Sequence, residues 1–173
     1  MITLLIDSCH PVFMFMRYSS LRFLIFTLSL LSGTVTWSSE IDSIITREQA
    51  PAGVVFEIVS DEDGLLGESL PSVKADIERL RQRFPDLPIA IVSHGKELFA
   101  LTSKNRSTEP QAHDLVKQLV KAEDVDVHVC GTHAGWYGVT AEAFPDYIDV
   151  TAAAPAQIDD YEAIGYIVII LTD

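Results

Sequence analysis

The sequence predicts an α/β domain, a single open, mostly parallel five-stranded sheet with helices on both faces. Three observations predict it. Five apolar runs rich in β-branched and aromatic residues, at 53–59, 89–93, 125–129, 147–151 and 166–171, read as strands. Segments with helical spacing fall between several of them. Strands alternating with helices of about ten to fifteen residues call for right-handed crossovers, hence parallel pairing with both faces covered.

The 173-residue chain opens on a segment of another kind. Arg17 and Arg22 precede an uncharged run, Phe23 to Val35, rich in Leu, Ile and Phe, with the small residues Thr36 and Ser38 just beyond. This charged, apolar, small-residue order is that of a secretory signal, and the run is shorter than the ~20 apolar residues a spanning helix needs. Residues 1–38 are therefore expected to be a signal peptide cut after Ser38, with residues 1–15 a superfluous start. The competing reading is an uncleaved anchor. Cleavage would leave a periplasmic protein with no stable membrane insertion.

Removing the leader leaves 135 of the 173 residues, enough for one domain with a real core and too few for two. Residues 39–52 show no sustained period and end near Pro51, so they read as an N-terminal arm; residues 53–173 form the domain. "GVVFEIV" is the first strand and "SDEDGLLGE" a turn. Leu70, Val73, Ile77, Leu80 and Phe84 then recur at steps of three and four, one face of a helix that "PDLP" ends. "IAIVS" is the second strand and stops at His94-Gly95. "KELFALTSKN" fits either a short helix or a hairpin strand. Thr108-Glu109-Pro110-Gln111 has the form of a capping box, followed by the apolar face of Ala112, Leu115, Val116, Leu119 and Val120. A third strand, Val125 to Val129, delivers Cys130. After "YIDVT", Pro155 suits the first turn of a helix that Gly165 terminates, and "YIVIIL" closes the sheet.

Charge and cysteine usage narrow the chemistry. The chain carries 25 acidic and 12 basic residues, a formal charge of −13, and loss of Asp7, Arg17 and Arg22 with the leader makes the remainder more acidic still. With no basic cluster after residue 38 there is nothing to neutralise phosphates, so no nucleic-acid partner is expected and anionic membrane surfaces are disfavoured. Of the two cysteines, Cys9 leaves with the leader. Cys130 remains as a solitary thiol in an exported chain, which suggests a reactive sulfur or an intermolecular partner; the plainer alternative is a small apolar core residue.

Open α/β sheets place their functional crevice at the carboxyl ends of the strands. Two strand ends bring polar, hinge-like residues there: Ser93-His94-Gly95 and Cys130-Gly131-Thr132-His133. Should the chain turn into a helix at Gly131, its free N–H groups point back at Cys130, and a helix N-terminus or a protonated histidine favours a thiolate. Exit from an apolar run argues against full burial of Cys130. Each neighbour has a simpler reading as well. His94 could bond a nearby carbonyl, His133 could face solvent, and Gly95 and Gly131 could serve turns, Gly131 also permitting close approach of a ligand. His128, opposite in face to Val127 and Val129, reads as structural, and Trp136 and Tyr137 read by default as core, with a pocket lining or a subunit contact as the alternatives. The His128, Cys130, His133 set matches no zinc spacing, and haem attachment through Cys130-x-x-His133 lacks its second cysteine. "DEDG" lacks the ligand spacing of a calcium loop, and no phosphate-binding loop or Gly-x-Ser-x-Gly elbow occurs. No cofactor is expected, and no metal ligands are assigned.

The stretches "IVSHGKELFALT" and "VDVHVCGTHAGWYGVTAEAFPDYIDVTAAAPAQIDDYEAIGYIVIIL" resemble the DsrE/DsrF-like family, small α/β proteins of bacterial sulfur metabolism, over most of residues 53–171. The resemblance implies a flavodoxin-like sheet, a Cys130 that carries sulfur as a persulfide, and assembly into homo-trimers or hexamers. Where many members have Asn then Thr or Ser after the cysteine, this chain has Gly131-Thr132-His133. The expected function is thus an exported persulfide carrier or sulfurtransferase-like protein. Its site would be Cys130 with His94, Gly95, Gly131, Thr132 and His133, and its partners sulfur donor and acceptor proteins or small sulfur compounds. The alternative is a non-catalytic oligomeric module of the same fold that binds a small ligand or a metal.

Overall fold

A computed structural model describes residues 36–62 and 64–172. The expected signal peptide lies outside them except for its last three residues. Among the described residues no helix is long and apolar enough to cross a membrane.

Five strands, β1 (Gly53–Val59), β2 (Ile89–Ser93), β3 (Val125–Cys130), β4 (Asp149–Thr151) and β5 (Tyr166–Thr172), form one sheet in the order β4-β3-β2-β1-β5. Every pairing is parallel. Five helices accompany them: α1 (Thr36–Ile45), α2 (Leu65–Arg83), α3 (Pro110–Glu123), α4 (Gly131–Trp136) and α5 (Ala154–Ala163). The strand order decides where the helices go. Steps from β1 through β4 all run one way across the sheet, so right-handed crossovers put their connections on one face; the return from β4 to β5 runs the other way and puts α5 on the opposite face. Packing agrees, since α1 lies against α2 and α2 against α3, while α5 crosses β5, β1, β2 and β3. A flavodoxin order, 2-1-3-4-5, would reverse direction after the first crossover instead.

The helical stripe appears as read, with Leu70, Val73, Ile77 and Leu80 buried. The helix starts at Leu65, earlier than the periodicity indicates, because buried Leu66 continues the stripe one turn back and the helix runs on through Pro71. Residues 39–52 are more than an arm. They include most of α1, whose Ile41 and Ile44 are buried, and Arg83 holds α1's end by donating to the carbonyls of Ile45 (3.2 Å) and Arg47 (2.8 Å). The capping box does not form: Thr108 Oγ1 donates to Asn105 O at 3.0 Å, and α3 starts at Pro110, with Glu109 at the N-cap position giving no side-chain cap. "KELFAL" is a 3₁₀ turn whose Glu97, Leu98, Ala100 and Leu101 are buried. Gly165, at φ 92°, follows α5 as expected.

Candidate functional site

In-register residues of parallel strands share a sheet face, and faces alternate along each strand. One row reads Ile170, Glu57, Val92, His128, Asp149 across the five strands. His128 Nε2 meets the Tyr161 hydroxyl of α5 at 2.8 Å, so this row lies on the α5 face. Two residues further along the strands, on the same face, come Thr172 with Val59 and Cys130 with Thr151. His94 belongs between them. It follows Ser93, which pairs with Val129, and its N–H continues the ladder to Ile58 O at 3.1 Å. The two strand ends therefore deliver His94 and Cys130 side by side to the carboxyl rim.

Cys130 passes directly into α4, as the sequence suggests, and its Sγ accepts the His133 N–H at 3.4 Å. The expectation of an emergent sulfur needs correction. Cys130 is only 4 % exposed, because its side chain folds back over the first turn of α4 instead of projecting from the strand end. Gly131 and Thr132 serve the fold at this junction. A Cβ on Gly131 would stand 3.0 Å from Thr151 O, so the close approach there is made by the end of β4. The N–H and hydroxyl of Thr132 both donate to Ala152 O, at 3.1 and 2.7 Å.

His133 packs its ring among Phe99, Trp136 and Tyr137, inclined 29° to the Tyr137 ring at 5.4 Å. Its Nε2 is buried without a hydrogen-bond partner among the described residues. A buried polar atom in that state calls for a ligand, a water or a partner molecule. Trp136 and Tyr137 are 75 % and 54 % exposed, which overturns the default core reading and leaves the pocket and contact alternatives. Helix α4 is too short to bury its aromatic residues against the sheet and presents them outward beside Cys130.

His94 finds its hydrogen-bond partner in a carboxylate, with Nε2 2.7 Å from Glu57 Oε1 and both side chains partly buried. Gly95 is fixed by close approach: a Cβ would collide with the Ser60 backbone and Glu97 Oε2. Glu97 is fully buried and accepts from Ser60 N (2.9 Å), Gly95 N (3.0 Å) and Ser93 Oγ (2.8 Å), binding the ends of β1 and β2 together. His128 is structural as expected, held by Asp149 Oδ2 at 2.9 Å and by Tyr161. Burial, reinforced by the negative charges of Asp126 and Asp149, pushes the Tyr161 phenol up to about 12.

Sequence reasoning passed over Glu57, Glu97 and His113. The signal for Glu57 is visible: one acid inside the apolar run "GVVFEIV". His113 is buried between Tyr147 OH (3.0 Å) and Ala100 O (3.1 Å) and is fully satisfied, a core histidine. Among the described residues no group of three or more His, Cys, Asp or Glu is placed to hold a metal. A concavity of about 730 Å³ at the other, amino end of the strands, lined by Arg81, Leu87, Ile89, Glu123 and Asp126 among others, is remote from the cysteine. Arg81 fills part of it by donating to the carbonyls of Leu87, Glu123 and Asp124.

Two solved structures share this architecture. One is a protein of unknown function, MTH1491 from Methanobacterium thermoautotrophicum, at TM-score 0.53 and 15% identity over 68% of this chain and 97% of that one. The other is the ychN protein from E. coli, at TM-score 0.52 and 15% identity over 69% and 99%. Identity this low carries the fold alone. Comparison with curated proteins gives no match. The DsrE/DsrF-like family model matches residues 72–171, more than half of the chain, spanning β2 to β5 with Cys130 and its neighbours. The chain belongs to the DsrE/DsrF-like family.

Proposed function

We propose that this is an exported sulfur-handling protein in which Cys130 accepts sulfane sulfur as a persulfide and hands it on. The observation that carries the reading is the junction itself: the one cysteine among the described residues ends β3, its sulfur receives the His133 N–H, and His94 follows Ser93, the residue paired with Val129 on the neighbouring strand. An N–H donor and a neighbouring imidazole are what a sulfur nucleophile uses to hold and exchange its proton. Family membership supports sulfur chemistry as the class. Partners in this reading are a sulfur donor and acceptor, protein or small molecule. The leader directs the chain to the periplasm, and the folded protein works as a homo-oligomer.

The test is direct. Protein incubated with polysulfide or thiosulfate and weighed intact gains the mass of sulfur on the wild type and none on Cys130→Ala. Absence of any gain, or a gain that survives the substitution, ends the reading. One observation favours a second reading, a non-catalytic module that binds a small ligand: the sulfur is enclosed while His133 Nε2 lacks a partner inside an aromatic cluster. Metal analysis of untagged protein separates the two. Stoichiometric zinc or copper, lost when His94 and Cys130 are both replaced by Ala, supports the module in its metal-binding form.

A further inference from the structure

Glu57 is out of place by the rules of its own strand. β1 is a central parallel strand flanked by β2 and β5, and such strands read as continuous Val and Ile because both faces are covered. A carboxyl group there loses hydration and lowers β-propensity unless something compensates. The compensation is His94 at 2.7 Å. The neighbours of Glu57 in its row, Val92 and Ile170, offer no hydrogen bond from their side chains. Both side chains of the pair are mostly covered, 18 % and 17 % exposed, so each depends on the other for its hydrogen bond.

We propose that Glu57 is a positioning residue for the sulfur chemistry of Cys130, acting through His94; the inference rests on the persulfide reading above. With Glu57 accepting at Nε2–H, the ring is fixed in one tautomer and Nδ1 is left as a bare acceptor. Adjacent parallel strands lie about 4.8 Å apart at the backbone; among the described residues Cys130 Sγ is hydrogen-bonded to His133 N–H and not to His94, so a bridging water carries the proton between Sγ and Nδ1. The Sγ–H proton passes to Nδ1, and the freed electron pair of Sγ forms a bond to the terminal sulfur of a hydropolysulfide. The donor's S–S bond breaks, its electron pair leaves on the inner sulfur, and that sulfur takes the proton back from Nδ1. A thiol and a hydropolysulfide thus become a persulfide and a hydropolysulfide one sulfur shorter, with no net oxidation. A carboxyl group orienting an imidazole that serves a nucleophile is a recurrent arrangement on unrelated folds.

The experiment follows the rate of sulfur loading onto Cys130 from hydropolysulfide, by intact mass, in wild type, Glu57→Leu, His94→Asn and the double variant, with urea unfolding of each. Nitrogen-15 spectra of the histidine rings report the His94 tautomer. Glu57→Leu is expected to slow loading about tenfold or more and to mix the tautomers. It should leave the urea midpoint unchanged or higher, since an apolar residue suits this strand position. The double variant should load no more slowly than His94→Asn, because both substitutions remove one linked function. A purely structural ion pair gives the reverse, a lower midpoint with the loading rate intact. Should Glu57→Leu fail to fold, Glu57→Gln replaces it in the same series. Equal loading by wild type and variant, or an unchanged tautomer, overturns the role of Glu57 and leaves the persulfide reading standing. Failure of the wild type to load at all overturns both.

Discussion

Glu97 holds together the rim on which His94 stands. Its carboxyl oxygens accept from two backbone N–H groups and one hydroxyl, on Ser60, Gly95 and Ser93, and no part of it reaches solvent. Removing a buried acceptor strands every donor that faced it, and each stranded donor costs about 1–3 kcal/mol. Glu97→Ala is accordingly expected to lower stability by at least ~3 kcal/mol, a large part of what a single domain has. Urea unfolding checks this; a loss under about 1 kcal/mol would mean that water replaces the carboxyl group. The residues at the two strand ends were legible because a histidine, a glycine and a cysteine break apolar runs abruptly. Their partners were not. Glu57 and Glu97 lie 37 residues from His94 and Ser60 respectively, and nothing local in a sequence records such a pairing. Enclosure of Cys130 was equally hidden, since it follows from the backbone turn into α4.

Helix α5 packs on the sheet through Ala154 and Ile158 and is held by two polar contacts, the chain Asp149 to His128 to Tyr161 and the Thr151 hydroxyl donating to Gln157 Oε1 at 3.2 Å. The Tyr161 ring also lies 4.8 Å from that of Tyr166. Its raised value has a consequence at alkaline pH. An unfolded chain ionises Tyr161 near the ordinary value of about 10, whereas the folded phenol keeps its proton up to about 12. Between those values the unfolded state binds fewer protons than the folded one, so the free energy of unfolding falls as pH rises. The contribution is fully present below pH ~10 and is lost, to the extent of roughly 2–3 kcal/mol, by the time the folded group ionises. Tyr161→Phe should begin less stable at pH 8, because His128 Nε2 loses its partner, and then decline less steeply up to pH 11. Urea midpoints at the two pH values decide it, and parallel declines would refute the assignment. Elements of this kind were legible wherever the apolar period was long, as in α2 and α3. α1 was missed because Ile41 and Ile44, its buried apolar residues among those whose side chains are described, are too few to establish a period. The capping box failed because Asn105 O claims the Thr108 hydroxyl.

For the molecule as a whole, fold class was legible and strand order was not. Alternation of strand and helix dictates parallel pairing, but which strand neighbours which depends on contacts between distant segments, and the chain's jump from β4 to β5 across the whole sheet leaves no local mark. That jump also determines what the surface exposes. With three helices packed together on one face and α5 covering the other, the short α4 is left at the rim with Trp136 and Tyr137 outward, next to Phe99 and His133. Aromatic side chains clustered on a surface mark contact with another molecule more often than isolated apolar residues do. In the proposed homo-oligomer this face is the contact, and the partner copy would supply what His133 Nε2 lacks. Sedimentation of the wild type should then give a trimer or hexamer, and Trp136→Ser should shift it toward monomer, since a buried interface Trp is among the costliest residues to truncate. Circular dichroism of the variant should match the wild type, because a side chain 75 % exposed contributes little to the fold of the single chain. A wild type that sediments as a monomer sinks the assembly; an oligomer indifferent to Trp136→Ser and Tyr137→Ser moves the contact to the open β5 edge, where Ile170 is exposed and Ile164 lies just ahead, the other large exposed apolar residues among those described.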